Sequence, residues 1–199
     1  MKRLINIISA MTIFMTSLIC CQANPTDDIR SLILSQKEDG YGKVMKDSIA
    51  NIIMDAKQVT CHLLSQNPLD SLREDTVRNL PKGAETILQY LFFNKSNFTG
   101  NKTVYGQFTP WARYTFQAKK KRTVHLELDF GLSKWRLLNH DMKEICMQDM
   151  KECNGQMLHL VSLLFPKDKI LNMLINNLNL KDNEKSSNPI QLPADNSNK

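Results

Sequence analysis

The sequence predicts an α+β domain in which an antiparallel sheet of about four or five strands is flanked by N-terminal and C-terminal helices. Two central segments of alternating polarity, 112–118 and 124–130, predict adjacent strands, because alternation places one set of side chains on each face of a sheet. Apolar residues with helical spacing on both sides of these strands predict the helices. We expect a single domain over 29–180 in the chain of 199 residues.

The first twenty residues predict an export signal. Lys2 and Arg3 precede an uncharged apolar run over 4–18, an order that is typical of a signal peptide. The run is shorter than the ~20 apolar residues of a membrane-spanning helix. We therefore assign 1–20 to a signal peptide and the polar stretch 21–28 to a tether.

The end of the signal resembles a bacterial lipobox. In Leu18-Ile19-Cys20-Cys21, a leucine stands three residues before a cysteine, although Cys20 replaces the usual small residue. Lipidation at Cys21 predicts a cell-envelope lipoprotein whose partner is a membrane, with the outer membrane favoured. Several acyl chains would anchor the protein firmly, whereas a single acyl chain gives only marginal membrane binding. The alternative is cleavage after Ala23, which predicts a periplasmic or secreted protein.

Five segments of the exported chain have helical spacing, and 181–199 is polar enough to predict a disordered tail. The apolar residues with this spacing are Ile29, Leu32 and Ile33; Ile49, Ile52, Ile53 and Ala56; Ala84, Ile87, Leu88, Leu91 and Phe92, which are expected to form the buried face of their helix; Met157, Leu160, Val161, Leu164 and Phe165; and Ile170, Leu171, Leu174, Ile175 and Leu178. Further strands are predicted over 58–64, 134–138 and 144–148. The charged segment 70–79 predicts a loop or a short helix.

Composition excludes several classes of function. Without Lys2 and Arg3, 24 basic side chains stand against 20 acidic ones, and such a balance gives no case for nucleic acid. With seven glycines the chain has no Gly-rich phosphate loop, and it has no metalloprotease or hydrolase motif. We expect no cofactor and no metal site.

One strand carries His125, Glu127 and Asp129 on the same face. Side chains two apart on a strand are separated by about 7 Å, too far for three ligands of one metal ion. The pattern instead predicts a solvent-exposed face. Its expected cross-strand neighbours are Arg113, Thr115 and Gln117.

The turn between the central strands is basic. Lys119, Lys120, Lys121 and Arg122, with Trp111 nearby, form a candidate surface-binding group for phosphate head groups. The alternative is a solvated turn that discourages edge-to-edge aggregation.

Three cysteines remain if Cys21 carries lipid. Cys146 and Cys153 form a candidate disulfide, with free buried thiols as the alternative. Cys61 lies among apolar residues and is interpreted as a core residue. A thiol enzyme that uses one of these cysteines with a histidine is the alternative function.

The stretches 104–116 and 124–135, with Leu164-Phe165-Pro166, resemble a hairpin of small uncharacterised lipoproteins from Bacteroides-type bacteria. Phe108 and Leu132 stand where those relatives place cysteine pairs. The resemblance covers about half of the chain and implies an envelope location and no established activity.

Three triplets, beginning at Asp47, Asp70 and Asp75, are similar to the O-glycosylation acceptor of such bacteria. Ser71 and Thr76, in the predicted loop, are the candidate acceptors. The function favoured by the whole sequence is a non-enzymatic binding or interaction module with a protein or glycan partner. An exported hydrolase or thiol enzyme, and a subunit of a surface complex that uses the 134–148 hairpin as an edge, are the alternatives.

Overall fold

The structure, a computed structural model, describes residues 25–64, 74–98, 106–119 and 122–186. Within these ranges the α-helices are α1 (Pro25–Ser35), α2 (Asp47–Met54), α3 (Ala84–Phe93), α4 (Asn154–Leu164) and α5 (Lys169–Ser186). The strands are β1 (Gln58–Leu64), β2 (Glu74–Asn79), β3 (Ala112–Gln117), β4 (Thr123–Asp129), β5 (Lys134–Leu138) and β6 (Glu144–Asp149). Short 3-10 helices span Tyr41–Lys43, Lys95–Phe98 and Lys151–Cys153.

The strands form one six-stranded antiparallel sheet in the order β2-β1-β3-β4-β5-β6. β1 and β2 form a hairpin, α3 follows, and β3 then pairs with the free side of β1 before the chain continues as a meander. The α+β class is confirmed, and the sheet has one strand more than the largest number expected.

The extra strand is β2, so the prediction of a loop or short helix over 70–79 is wrong for its second half. The segment Glu74–Asn79 shows no apolar alternation, because it lies at the edge of the sheet. Its strand conformation comes from backbone pairing with β1, for example between Arg78 and Cys61. Backbone pairing leaves no periodic signal in the side chains.

The alternating faces of β3 and β4 are confirmed, and one face is buried under the helices. Tyr114, Leu126 and Leu137 lie in register across three strands and are fully buried in a single core. Trp135 is the largest fully buried side chain. Its ring contacts Phe92 and Phe98 edge to face, with centroids 4.8 and 5.3 Å away.

Three helix boundaries or faces differ from expectation. α1 begins at Pro25, inside the predicted tether 21–28, and α5 continues to Ser186, inside the predicted disordered tail. In α3, Ile87 is exposed and Gln89 is buried instead. Gln89 is accommodated because its Nε2 donates to the carbonyl of Ile53 at 2.9 Å.

No helix within the described ranges is both long and apolar enough to cross a membrane. The predicted signal peptide and Cys21 lie outside those ranges.

Candidate functional site

The face of the sheet opposite the helices carries a row of charged side chains. Arg113 on β3, Glu127 on β4 and Arg136 on β5 stand directly opposite one another across three strands. Alternation placed Glu127 on the polar face, and the antiparallel register then sets a guanidinium on either side of it.

Glu127 is bonded by both arginines. Arg113 donates from Nε and Nη2 to one carboxylate oxygen at 3.0 and 2.9 Å. Arg136 donates from Nε and Nη2 to the other at 2.9 and 2.5 Å, and its guanidinium lies 4.6 Å from the centre of the Phe108 ring. Glu127 is only 1 % exposed. The prediction of a solvent-exposed face is therefore wrong for Glu127 and for Asp129, which is also buried, although the pairing of Glu127 with Arg113 is confirmed.

The neighbours of Glu127 on β4 are also held by local contacts. Asp129 is buried, and its carboxylate accepts from the backbone N–H groups of Gly131, Leu132 and Thr109 at 2.8–3.0 Å, which fixes the β4–β5 turn. His125 Nδ1 lies 2.9 Å from the Thr115 hydroxyl. Among the residues that the structure describes, no three His, Cys, Asp or Glu side chains form a group able to hold a metal ion.

All three described cysteines are free thiols, so the candidate disulfide between Cys146 and Cys153 is not formed in this structure. Burial raises the pKa of Cys146 to about 12 and that of Cys153 to about 11. Cys61 is fully buried, as expected, and burial raises its thiol pKa further still. The Sγ of Cys153 donates to Asn97 Oδ1 at 3.4 Å, so its hydrogen-bond partner is an amide.

A cleft of about 620 Å³ opens beneath the edge strand, between β2 and the turn that joins α4 to α5. Leu63, Leu164, Phe165 and Pro166 form its apolar walls, and Arg78 and Lys167 bring positive charge to it. A volume of this size falls within the range of about 300–1,000 Å³ that is typical of ligand sites.

The charged residues of the cleft differ in whether another group bonds them. Asp168 accepts from the N–H groups of Ile170 and Leu171 at 3.0 and 2.8 Å, so it caps α5. Neither Arg78 nor Lys167 forms an ion pair with a carboxylate in the described part of the chain. The cleft therefore presents two cationic groups beside an apolar wall.

Arg78 holds its guanidinium at the outer edge of β2. Its Nη1 donates to the carbonyl of Val77 at 2.9 Å, and its Cζ lies 5.8 Å from the centre of the Phe165 ring. Leu163, at the mouth of the cleft, is 77 % exposed. The exposed leucine thus lies beside an arginine that has no carboxylate partner among the described residues, an arrangement that a bound partner would cover.

Two smaller clefts, of about 280 and 360 Å³, lie between α2, β1 and the start of α3. Two of their charged groups already have contacts: Arg30 bonds Asp55 at 2.8 Å, and Glu85 accepts from the backbone of Gly83 at 2.9 Å. Polar and charged residues outnumber apolar ones in the lining of both smaller clefts.

The other candidate residues from the sequence do not form one site. Lys119 and Arg122 are exposed at the β3–β4 turn, Trp111 is half-buried, and Lys120 and Lys121 lie outside the described residues. Thr76 lies in β2 rather than in a loop, and Ser71, like Cys21, is outside the described residues. The cleft could not be predicted from the sequence, because its walls come from segments about ninety positions apart.

Comparison of the chain with family models, with curated proteins and with solved structures gave no match. Function is therefore inferred from the residues of this chain.

Proposed function

We propose that this protein is a non-enzymatic binding module of the cell envelope, held at a membrane through lipidated Cys21. The observation that carries the binding role is the cleft between β2 and the α4–α5 turn. There, Arg78 and Lys167 lie beside apolar walls and have no carboxylate partner among the residues that the structure describes. A concave site with mostly apolar walls and a few charged groups is typical of ligand recognition. The predicted export signal and the lipobox-like sequence that ends at Cys21 support the envelope location.

The thiol chemistry argues against the alternative function of a cysteine-based enzyme. A nucleophilic cysteine needs a thiolate, which is favoured by a neighbouring cation or imidazole and partial exposure. Cys61 and Cys153 are buried and Cys146 is half-buried, and the loss of solvation raises the pKa of all three thiols, so their protonated forms dominate near neutral pH. In the described part of the chain, the hydrogen-bond partner of Cys153 is Asn97 and not a histidine.

Thiol labelling tests this distinction. We expect iodoacetamide at pH 8 to label Cys61, Cys146 and Cys153 at least about a hundredfold more slowly in the native protein than in urea, because burial keeps each thiol protonated. Unfolded thiols ionise near pH 9.0, whereas folded Cys153 and Cys146 ionise near 11 and 12. The contribution of these protonated thiols to the stability of the fold is fully present below pH 9 and is lost as pH rises toward 11–12. The free energy of unfolding should therefore fall over that window. Rapid native labelling of one cysteine, followed to the residue by mass spectrometry, would favour the enzyme.

The anchor has its own test. We expect the intact mass of protein from the membrane fraction to show a chain that begins at Cys21 with two or three acyl chains attached. A Cys21→Ala variant should lose the acyl mass and leave the membrane fraction. Detection of an unacylated chain that begins at residue 24 would contradict the lipid anchor and would indicate a soluble binding module.

A further inference from the structure

We propose that the partner is an extended peptide segment, which adds as a seventh strand to the outer edge of β2 and places an acidic residue beside Arg78 and an apolar residue in the adjacent cleft. This inference rests on the proposed binding role and names the chemistry of the partner. Strand addition to an open sheet edge is an established mode of peptide recognition, in which main-chain bonds give affinity and side-chain pockets give specificity.

The backbone of β2 presents free donors at its outer edge. Leu80 N donates to Val59 O at 2.9 Å, and the same register pairs Arg78 with Cys61. Hydrogen-bonded pairs alternate along an antiparallel ladder, so the N–H groups of Val77 and Asn79 point away from β1. No backbone or side-chain acceptor within the described ranges bonds either of them. Within the described structure, the outward N–H groups of Val77 and Asn79 are thus open for pairing, whereas the outward carbonyl of Val77 accepts from Arg78 Nη1.

The register of β2 determines which side chains of an added strand would face the cleft. Arg78 stands opposite Cys61, whose side chain is in the core, so Arg78 projects to the helix-covered face, where the cleft lies. A residue on a seventh strand directly opposite Arg78 would have its Cα about 5 Å away, on the same face. Every second residue of the peptide would therefore face the cleft.

Charge and polarity determine the preferred side chains. The guanidinium of Arg78 and the ammonium of Lys167 favour a carboxylate, because no carboxylate in the described part of the chain pairs with them. Two residues along the peptide, the next side chain on that face meets the apolar wall of Leu63, Leu164 and Phe165. The expected recognition pattern is an acidic and an apolar residue separated by one position.

Selection from a display library tests the proposal on the purified mature chain. Random peptides of about ten residues should yield binders with the acidic-x-apolar or apolar-x-acidic pattern. Arg78→Glu should weaken these binders by about tenfold or more, since it reverses the charge that faces the carboxylate. Lys43→Glu, an equal change of net charge at an exposed residue of a 3-10 helix, is the matched control and should change affinity by less than about twofold.

Two backbone changes distinguish strand addition from simple ion pairing. Val77→Pro removes an outward N–H and leaves the bonds between β1 and β2 intact, so binding should fall about tenfold while the fold is retained, as edge strands tolerate proline. In the selected peptides, N-methylation at alternate residues should weaken binding in one register and spare it in the other. If Val77→Pro does not fold, the result with the N-methylated peptides decides between the two modes of binding.

The opposite results would overturn the proposal. These are no enriched peptide pattern, basic binders, equal affinity for Arg78→Glu and the wild type, insensitivity to N-methylation in both registers, or a self-dimer through β2 that excludes peptide. None of them alters the acyl mass or the thiol labelling, so failure here is distinct from failure of the envelope binding role.

Discussion

Replacing Glu127 with glutamine is expected to destabilise the protein by about 3–5 kcal/mol, because it removes the buried carboxylate that Arg113 and Arg136 share. Glu127 receives four hydrogen bonds from Arg113 and Arg136 and is almost completely buried. Removing this carboxylate takes the closest compensating charge away from two arginines that are largely desolvated. Urea unfolding followed by circular dichroism measures the difference.

Glu144→Gln is the matched control for this change. Glu144 is half exposed, and its carboxylate lies 4.0 Å from Arg136 Nη1, so the loss should be within about 0.5 kcal/mol. An Arg113→Met, Glu127→Leu, Arg136→Met triple variant should recover most of the loss, since apolar side chains of similar volume replace such groups without a large penalty. Equal effects of Glu127→Gln and Glu144→Gln would contradict a buried ionic group.

Trp135→Ala is expected to cost about 3–5 kcal/mol and to lower the melting temperature by roughly 6–20 °C. The indole is the largest fully buried side chain and contacts Phe92 and Phe98 edge to face, so its removal leaves a cavity between α3 and the sheet. Differential scanning calorimetry would give the shift.

Trp135→Phe separates packing from the indole N–H. That N–H is buried and has no hydrogen-bond partner within the described structure, so only part of the ring volume is lost. We expect less than half of the destabilisation caused by alanine. A loss as large as that of Trp135→Ala would show that the N–H, and not the ring, stabilises this site.

The central hairpin was predictable because its two strands are buried on one face only. Tyr114 and Leu126 alternate with Arg113 and Glu127, and antiparallel register brings each pair together. Alternation identifies a face, but it does not show whether the polar face is exposed. Glu127 is buried by the arginines of two neighbouring strands, and one of those strands, β5, lies outside the hairpin.

The edge strand and the cleft were not predictable for a different reason. β2 is held by backbone pairing with β1, which requires no alternation in Glu74–Asn79. The cleft joins Arg78 to Phe165, and their proximity depends on how α4 packs beneath the sheet. The apolar residues of α4 predicted a helix but not its position.

Residue-resolved amide hydrogen exchange of the chain without its predicted signal peptide, with and without a selected peptide, tests most directly whether the β2 edge is the binding surface. We expect new protection at the amides of Val77 and Asn79 and little change at Arg78, whose N–H already bonds β1. Protection confined to β6, or to the charged face around Glu127, would contradict a binding site at β2.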